Sequence, residues 1–112
     1  MTPRKVSEKT AKVEDEQLRD YELVLIISPE AMDETLDAII GNISQLITKK
    51  GGIISNEERW GKRKLAYPIA HFVEGNYVLT QFKFRPALSK ELEANLQISE
   101  EVLRHLLIRL GD

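Results

Sequence analysis

Residues 20–50 read DYELVLIISPEAMDETLDAIIGNISQLITKK, and they contain a strand pattern followed by a helix pattern, from which the fold class follows. Its first part, Asp20 to Ser28, is rich in bulky and β-branched residues, which is typical of a strand buried on at least one face. Pro29 follows and ends the strand, because proline has no N–H to donate to a sheet. The second part predicts an amphipathic helix from Asp33 to Lys50, whose apolar face repeats at helical spacing: Leu36, Ile39, Ile40, Ile43, Leu46 and Ile47.

Three further residues bear on where the predicted helix begins and ends and on its stability. Asp33 has a short acceptor side chain of the kind favoured at an N-cap, and Gly51 favours the left-handed backbone that ends many helices. Gly41 lies inside the helix, where glycine costs on the order of 1 kcal/mol relative to alanine. The regular apolar spacing nevertheless makes this helix the best-supported element of the chain.

The rest of the chain predicts two strands, a short helix and a last strand. Strand two covers about Gly52 to Tyr67, with a bulge at Gly61 and an end at Pro68 that suggests a sheet edge. A loop through His71 and Gly75-Asn76 leads into strand three. The remaining elements are strand three from Tyr77 to Phe84, helix two from Leu88 or Ser89 to Leu96, and strand four from Glu101 to Leu110.

The element order βαββαβ predicts an α+β, ferredoxin-like fold. Right-handed crossovers would place both helices on one face of a four-stranded antiparallel sheet. In strand three, Tyr77, Leu79 and Gln81 should lie on the face that the helices leave open. The buried face of strand four stays undecided, because Val102, Leu106 and Ile108 compete with Leu103 and Leu107.

Length and composition favour one domain. The 112 residues fall within the usual size of a single domain, so we expect residues 20–112 to form it. Residues 1–19 lack an apolar stripe, and we expect them to be a disordered or flexible N-terminal extension. The longest apolar run, Leu23 to Ile27, has five residues and is too short to span a bilayer. The absence of cysteine excludes disulfides and thiolate zinc sites and fits a cytoplasmic protein.

Catalytic motifs are sparse. His71 and His105 are the only histidines, and they lack the spacing of a metal site. Gly51-Gly52 follows a helix instead of preceding one, so it is not a phosphate-binding loop. The sequence therefore predicts a protein that is not an enzyme and that has no metal or other cofactor.

Charge is unevenly distributed along the chain, although the formal net charge is only −2. Residues 20–48 carry six acids and no base, whereas residues 49–64 carry six bases and two acids. Helix-dipole bias explains the lysines at the end of the first helix, but it does not explain Arg59, Lys62, Arg63 and Lys64.

These four bases belong to the segment RWGKRKLAYPI at residues 59–69, which also contains Trp60 and Tyr67. One interpretation is a strand that contacts RNA phosphates and offers rings for stacking. The other is an edge strand whose lysines prevent aggregation and whose rings belong to the core. Composition alone does not choose between them.

Several motifs together resemble one family. They are Tyr21-Glu22 at the start of strand one, the segment from Trp60 to Ile69, Gly75-x-Tyr77, and Val102-Leu103-Arg104 at the start of strand four. In this order, over about residues 20–110, they resemble the bacterial small-ribosomal-subunit protein six family. The pattern from Gly61 to Ile69 is its most specific part.

The resemblance implies a ferredoxin-like structural protein of the cytoplasmic ribosome. It implies binding to the central domain of small-subunit rRNA together with small ribosomal subunit protein eighteen, by a protein that is a monomer when isolated. The RNA- or partner-binding residues that it suggests are Arg59, Lys62, Arg63, Lys64 and Arg104, whereas Trp60, Tyr67 and Pro68 are expected to serve packing and strand geometry. The alternative is a ferredoxin-like domain unrelated to the ribosome, which binds or catalyses as a homodimer formed through its open sheet face.

Overall fold

The computed structural model describes residues 17–96 and 100–111 and has the predicted βαββαβ order, with one 3-10 turn, Pro86–Leu88, before the second helix. The sheet order is β2-β3-β1-β4, and the register of each neighbouring pair is antiparallel. This arrangement confirms the ferredoxin-like α+β fold. The elements are β1 (Arg19–Ile27), α1 (Asp33–Lys49), β2 (Ile53–Ile69), β3 (Phe72–Phe84), α2 (Ser89–Leu96) and β4 (Val102–Arg109).

The core lies between the sheet and the two helices. Alternate residues of β1 point into it, so Leu23, Leu25 and Ile27 are almost fully buried. From β3 come Phe82 and Phe84, whose rings meet edge-on at 5.7 Å between centroids. The helices contribute Ile39, Ile40, Ile43 and Ile47 from α1 and Leu92 and Leu96 from α2.

The first helix begins at the predicted residue but is capped differently. Met32 is the N-cap and makes no side-chain cap hydrogen bond, whereas Asp33 is the first helical residue. The prediction of Asp33 as N-cap was therefore wrong by one position. Its carboxylate still lies in the first turn, where it interacts favourably with the helix dipole. Gly51 has φ +89°, which confirms the predicted left-handed end.

Replacing Gly41 with alanine should raise the free energy of unfolding by about 1 kcal/mol. Gly41 is exposed on α1, and a Cβ atom added there meets no other atom within 4 Å. The substitution would therefore gain helix propensity without a steric cost. Urea denaturation should show a higher midpoint with an unchanged slope, and a lower midpoint would contradict the prediction.

The turn between β2 and β3 was predicted in the wrong place. Pro68 does not end β2, which continues to Ile69, and the turn consists of Ala70 and His71. Both turn residues have positive φ, 48° and 59°, a conformation usually signalled by glycine or asparagine. Because this turn lacks its usual residues, the Gly75-Asn76 pair, which lies inside β3, was mistaken for it.

Glycine is required within β3 for a different reason. A Cβ atom on Gly75 would lie 2.5 Å from Cγ2 of Ile26 in the neighbouring strand. The glycine therefore allows β3 and β1 to pack closely and does not reverse the chain.

The β2–β3 hairpin extends past the other two strands. Pairing of β1 with β3 ends at Ile27 and Asn76, whereas β2 and β3 continue for several residues to their turn. Register shifts mark β2, and one lies between Arg59 and Gly61, which confirms the predicted bulge. A larger register shift lies between the pairs Lys64–Glu74 and Ile69–Phe72, where residues 65–68 of β2 lie outside the regular pairing.

The register of β4 settles which of its faces is buried. Leu107 pairs with Leu23 and packs against the core, whereas Leu106 and Ile108 lie on the open face. Val102 also packs against the core because a bulge between Ile26 and Ile27 shifts the register there. Sequence alternation alone misses this shift.

The predicted extension, residues 1–19, lies mostly outside the described residues. Within the described part, Gln17 and Leu18 are exposed and Arg19 already belongs to β1. In the same part of the chain, neither helix is long and apolar enough to cross a membrane.

Candidate interaction surface

The sheet has one face that the helices leave open, and this open face carries most of the exposed large apolar side chains. Tyr77, Leu79 and Gln81 belong to it, as predicted, because their neighbours Val78 and Phe82 point into the core. Its exposed apolar and aromatic residues form what we call the open-face strip: Ile53, Trp60, Tyr67, Val73, Leu106 and Ile108.

Trp60 is held in place by three neighbours. Its ring stacks on Tyr77 with an interplanar angle of 11° and a centroid distance of 6.3 Å. The Arg63 guanidinium carbon lies 5.4 Å from the indole centroid, a cation–π distance. The indole Nε1–H donates a hydrogen bond of 2.8 Å to Glu58. The indole is 40% exposed and thus presents an ordered aromatic surface to solvent.

Glu58 completes this group as a hydrogen-bond acceptor. The indole N–H of Trp60 and, to a smaller extent, the side-chain amide of Asn56 lower the pKa of the Glu58 carboxyl. Glu58 therefore stays ionised at neutral pH and continues to orient the ring. A chain of contacts thus connects Glu58, Trp60 and Arg63 along the outer edge of the sheet.

Tyr67 and Arg104 join the two edge strands across the open face. Arg104 donates a hydrogen bond to the Tyr67 hydroxyl, and its guanidinium carbon lies 5.9 Å from the centroid of the Tyr67 ring. The contact holds the bulged segment 65–69 over the sheet and closes one side of a cleft of about 260 Å³. Most of the cleft lining is apolar and includes Val24, Ile26, Leu65, Ile69, Tyr77 and Leu106.

The five predicted basic residues do not form one cluster. Arg63 and Arg104 contact aromatic rings of the open face, whereas Arg59 is ion-paired with Asp37 of α1. Lys62 and Lys64 are exposed on the projecting hairpin. Within the described residues, Lys62, Arg63 and Lys64 form no ion pair.

Two residues of this surface were misjudged from sequence. Trp60 and Tyr67 were expected to serve packing, but they are 40% and 57% exposed and belong to the open-face strip. The buried residue of this segment is Leu65, which is 9% exposed. The irregular register of β2 explains the error, because a bulged strand does not alternate regularly between buried and exposed positions.

The surface is suited to binding and offers little for catalysis. His105 is half-buried on β4, with Nε2 at 3.8 Å from the Glu93 carboxylate, and His71 lies in the exposed hairpin turn. In the part of the chain that the structure describes, no three His, Asp or Glu side chains are grouped as metal ligands. An apolar strip, ordered rings and exposed cations are features of surfaces that bind proteins and RNA.

Comparison with known proteins identifies the family. The family model described as ribosomal protein S6 matches residues 20–109, which include every strand and helix up to Arg109 except the first residue of β1. The chain belongs to the ribosomal protein S6 family. Proteins of this family are part of the cytoplasmic ribosome of bacteria, and they are structural proteins.

Individual relatives agree with this assignment. The chain is 42% identical over 95 residues to small ribosomal subunit protein bS6 of Moorella thermoacetica, an alignment covering 85% of this chain and 97% of the relative. It is 44% identical over 95 residues to the bS6 protein of Caldanaerobacter subterraneus, covering 85% and 100%. The crystal structure of 30S ribosomal protein S6 from Thermotoga maritima superposes with a TM-score of 0.79 at 31% identity, covering 83% of this chain and 88% of that one.

Proposed function

We propose that this protein is a structural constituent of the small ribosomal subunit. It binds the central domain of small-subunit rRNA together with small ribosomal subunit protein eighteen. The observation that carries the proposal is the family match over residues 20–109, supported by relatives that align over nearly their whole length. The surface just described provides the binding chemistry, and the protein needs no cofactor for this role.

The exposed bases support an RNA contact. Lysine and arginine side chains bind phosphate oxygens and make the affinity for RNA salt-dependent. Lys62, Arg63 and Lys64 follow one another on a hairpin that projects beyond β1. With Arg59 and Arg104 they form the proposed set of RNA- or partner-binding residues.

The open-face strip supports a protein contact. Exposed apolar strips of this kind mark interaction sites on soluble proteins. The open face carries three acids, Asp20, Glu22 and Glu58, and three bases, Arg63, Lys83 and Arg104. Its charges therefore balance, which suits a protein partner better than a polyanion. We assign this face to protein eighteen.

The triple variant Lys62→Ala, Arg63→Ala, Lys64→Ala tests the proposed RNA contact. We expect weaker binding to a central-domain rRNA fragment. The slope of the logarithm of the binding constant against the logarithm of the salt concentration, called the salt slope, should fall in magnitude by up to about 0.9 for each phosphate that the variant no longer binds. Filter binding between 20 and about 200 mM KCl, with and without protein eighteen, measures both effects. An unchanged salt slope would show that Lys62, Arg63 and Lys64 do not bind RNA phosphates.

Light scattering tests the alternative function. The ribosomal proposal expects a monomer in isolation, whereas a domain that acts as a homodimer through the open-face strip would have twice that mass. A stable dimer that fails to bind rRNA in the presence of protein eighteen would favour the alternative.

A further inference from the structure

The end of the sheet opposite the hairpin turn carries a second group of basic residues. β1 begins there, and α1, β3 and β4 end there. Arg19 pairs with Phe84 and Arg109 pairs with Tyr21, and both partners are buried under the helices. Directly paired residues share a face of the sheet, so both arginines lie on the side that carries the helices. The whole group, which we call the basic end, is Arg19, Lys49, Lys50, Arg85, Lys90 and Arg109.

Contacts between elements join the basic end into one surface. Nη2 of Arg85 donates a hydrogen bond of 3.2 Å to the backbone carbonyl oxygen of Lys50, just after α1. Lys50 forms an ion pair of 2.5 Å with Glu91 in the first turn of α2, beside Lys90. Arg19 pairs with the residue that immediately precedes Arg85. Residues that are distant in sequence therefore place their charges side by side.

Most of this charge has no acidic partner in the described part of the chain. There, Lys50 is the one member of the basic end that forms an ion pair, with Glu91. Asp20 also lies at this end, but it pairs with Lys83 on the open face. A surface of one sign raises the local concentration of ligands of the opposite sign, so this end attracts anions.

The helix dipole explains a part of the cluster and leaves the rest unexplained. Lys49 and Lys50 lie at the carboxyl end of α1, where a cation is favoured. Lys90 lies in the first turn of α2, where the dipole disfavours a cation. Arg19 and Arg109 lie at strand ends, and sheets have small net dipoles. Stabilisation of the helices therefore does not account for the basic end.

The helix side of this end suits a polyanion better than a protein. Its exposed large apolar neighbours belong to the open face, because Ile53 pairs with Lys83 and Leu110 alternates with Arg109. Protein interfaces have an apolar centre, which the described residues of the basic end do not provide. Lysine and arginine side chains from several elements can instead contact successive phosphates of an RNA backbone.

We infer that the basic end is a second RNA-binding surface, which binds the phosphate backbone of a different rRNA segment from the one at the hairpin. Lys64 pairs with Glu74, ten positions before Phe84 in β3. Because a strand rises about 3.3 Å per residue, the hairpin bases and the basic end lie about 33 Å apart. This separation is several times the Debye length of about 8 Å at physiological salt. The inference rests on the proposed function and deepens it, since the protein would connect two segments of folded RNA.

A triple variant tests the inference without breaking the contacts that join the basic end. It removes three exposed charges that form no ion pair within the described residues: Lys49→Gln, Lys90→Gln and Arg109→Gln. A control changes the net charge by the same three units at exposed positions of α1 and its N-cap, away from the basic end: Met32→Glu, Ala38→Glu and Asn42→Asp. The full chain is used, and filter binding to the central-domain rRNA fragment with protein eighteen is measured against KCl concentration.

The triple variant should lower the magnitude of the salt slope by about 2.1 to 2.7, corresponding to three phosphate contacts. The control should leave the salt slope at the wild-type value, because charges distant from the RNA are screened. Combining the triple variant with the substitutions at Lys62, Arg63 and Lys64 should lower the slope by the sum of the two separate decreases, since distant sites act independently. Circular dichroism and thermal melting verify that each variant is folded.

Three outcomes would overturn the inference. An unchanged salt slope in the folded triple variant would show that the basic end does not contact RNA phosphates. An equal decrease in the control would show that net charge, and not a local contact, is responsible. Weaker binding of the triple variant to purified protein eighteen, with the RNA slope unchanged, would assign the basic end to a protein. In each case wild-type binding to rRNA would remain, whereas failure of the wild-type protein to bind rRNA with protein eighteen would overturn the proposed function.

Discussion

Replacing Gly52 with alanine is expected to lower the free energy of unfolding by about 3 kcal/mol. Gly52 is buried between the end of α1 and the start of β2. A Cβ atom there would lie 2.8 Å from the backbone carbonyl oxygen of Ile47, 2.6 Å from Cγ2 of the same residue and 2.8 Å from Cδ1 of Phe84. All three distances are shorter than van der Waals contact.

The neighbours of Gly52 cannot move aside easily. The Ile47 carbonyl accepts the backbone N–H of Gly52 at 2.8 Å, so moving it would break the connection that ends the helix. Ile47 and Phe84 are themselves almost fully buried in the core. Since interiors are close-packed, the strain would spread into both elements and would not be relieved locally.

Urea denaturation of Gly52→Ala should give a clearly lower midpoint than wild type. Gly41→Ala is the matched control, because it adds the same atom at a glycine with open space around it and is expected to stabilise. Equal effects of the two substitutions would contradict a steric clash at Gly52. If Gly52→Ala has the same urea midpoint as wild type, the added Cβ atom does not clash with Ile47 and Phe84.

Replacing Phe82 with alanine should cost about 3 to 5 kcal/mol, a large part of the 5 to 15 kcal/mol typical of a domain. Phe82 is 1% exposed at the centre of β3. Its ring stacks on Tyr21 at a centroid distance of 5.8 Å and meets the edge of Phe84 at 5.7 Å. Truncation would leave a cavity lined by two aromatic rings and by the helices above them.

Thermal and chemical denaturation measure the effect, and Val73→Ala is the control on the same strand. Val73 is 58% exposed on the projecting part of β3, so its truncation should change stability by less than about 0.5 kcal/mol. A destabilisation at Phe82 no larger than that at Val73 would show that the sheet does not pack on the helices as described. Phe82→Leu should fall between the two because it retains much of the buried volume.

The regular elements could be predicted because their signal is local. The apolar face of α1 repeats at helical spacing, and the residues Ile39, Ile40, Ile43 and Ile47 are buried as expected. β1 was predicted within one residue at each end, since an apolar run with three β-branched residues that ends at Ser28-Pro29 is typical of a buried strand. The family motif from Gly61 to Ile69 likewise identified the segment that carries the exposed bases.

Apart from the N-cap of α1, the errors lie where the backbone departs from regular geometry. The turn at Ala70 and His71 has no glycine to signal it, so the hairpin was predicted too short. Bulges in β2 and at the end of β1 change which residues face the core. As a result, Trp60 and Tyr67 are more exposed, and Val102 is more buried, than regular alternation along a strand predicts. A bulge depends on how two strands pair, and the alternation of residues within one strand does not encode that pairing.

The fold class and the first helix follow from the sequence, because spacing and composition are properties of neighbouring residues, and the family resemblance suggested five basic residues as a binding set. How those bases are distributed over the surface follows from the folded chain. It paired Arg59 with Asp37 across 22 positions, packed Arg104 on Tyr67 across 37, and placed Lys62 and Arg63 on opposite sides of one hairpin. These outcomes depend on strand register and on contacts between distant segments, which form only when the chain has folded.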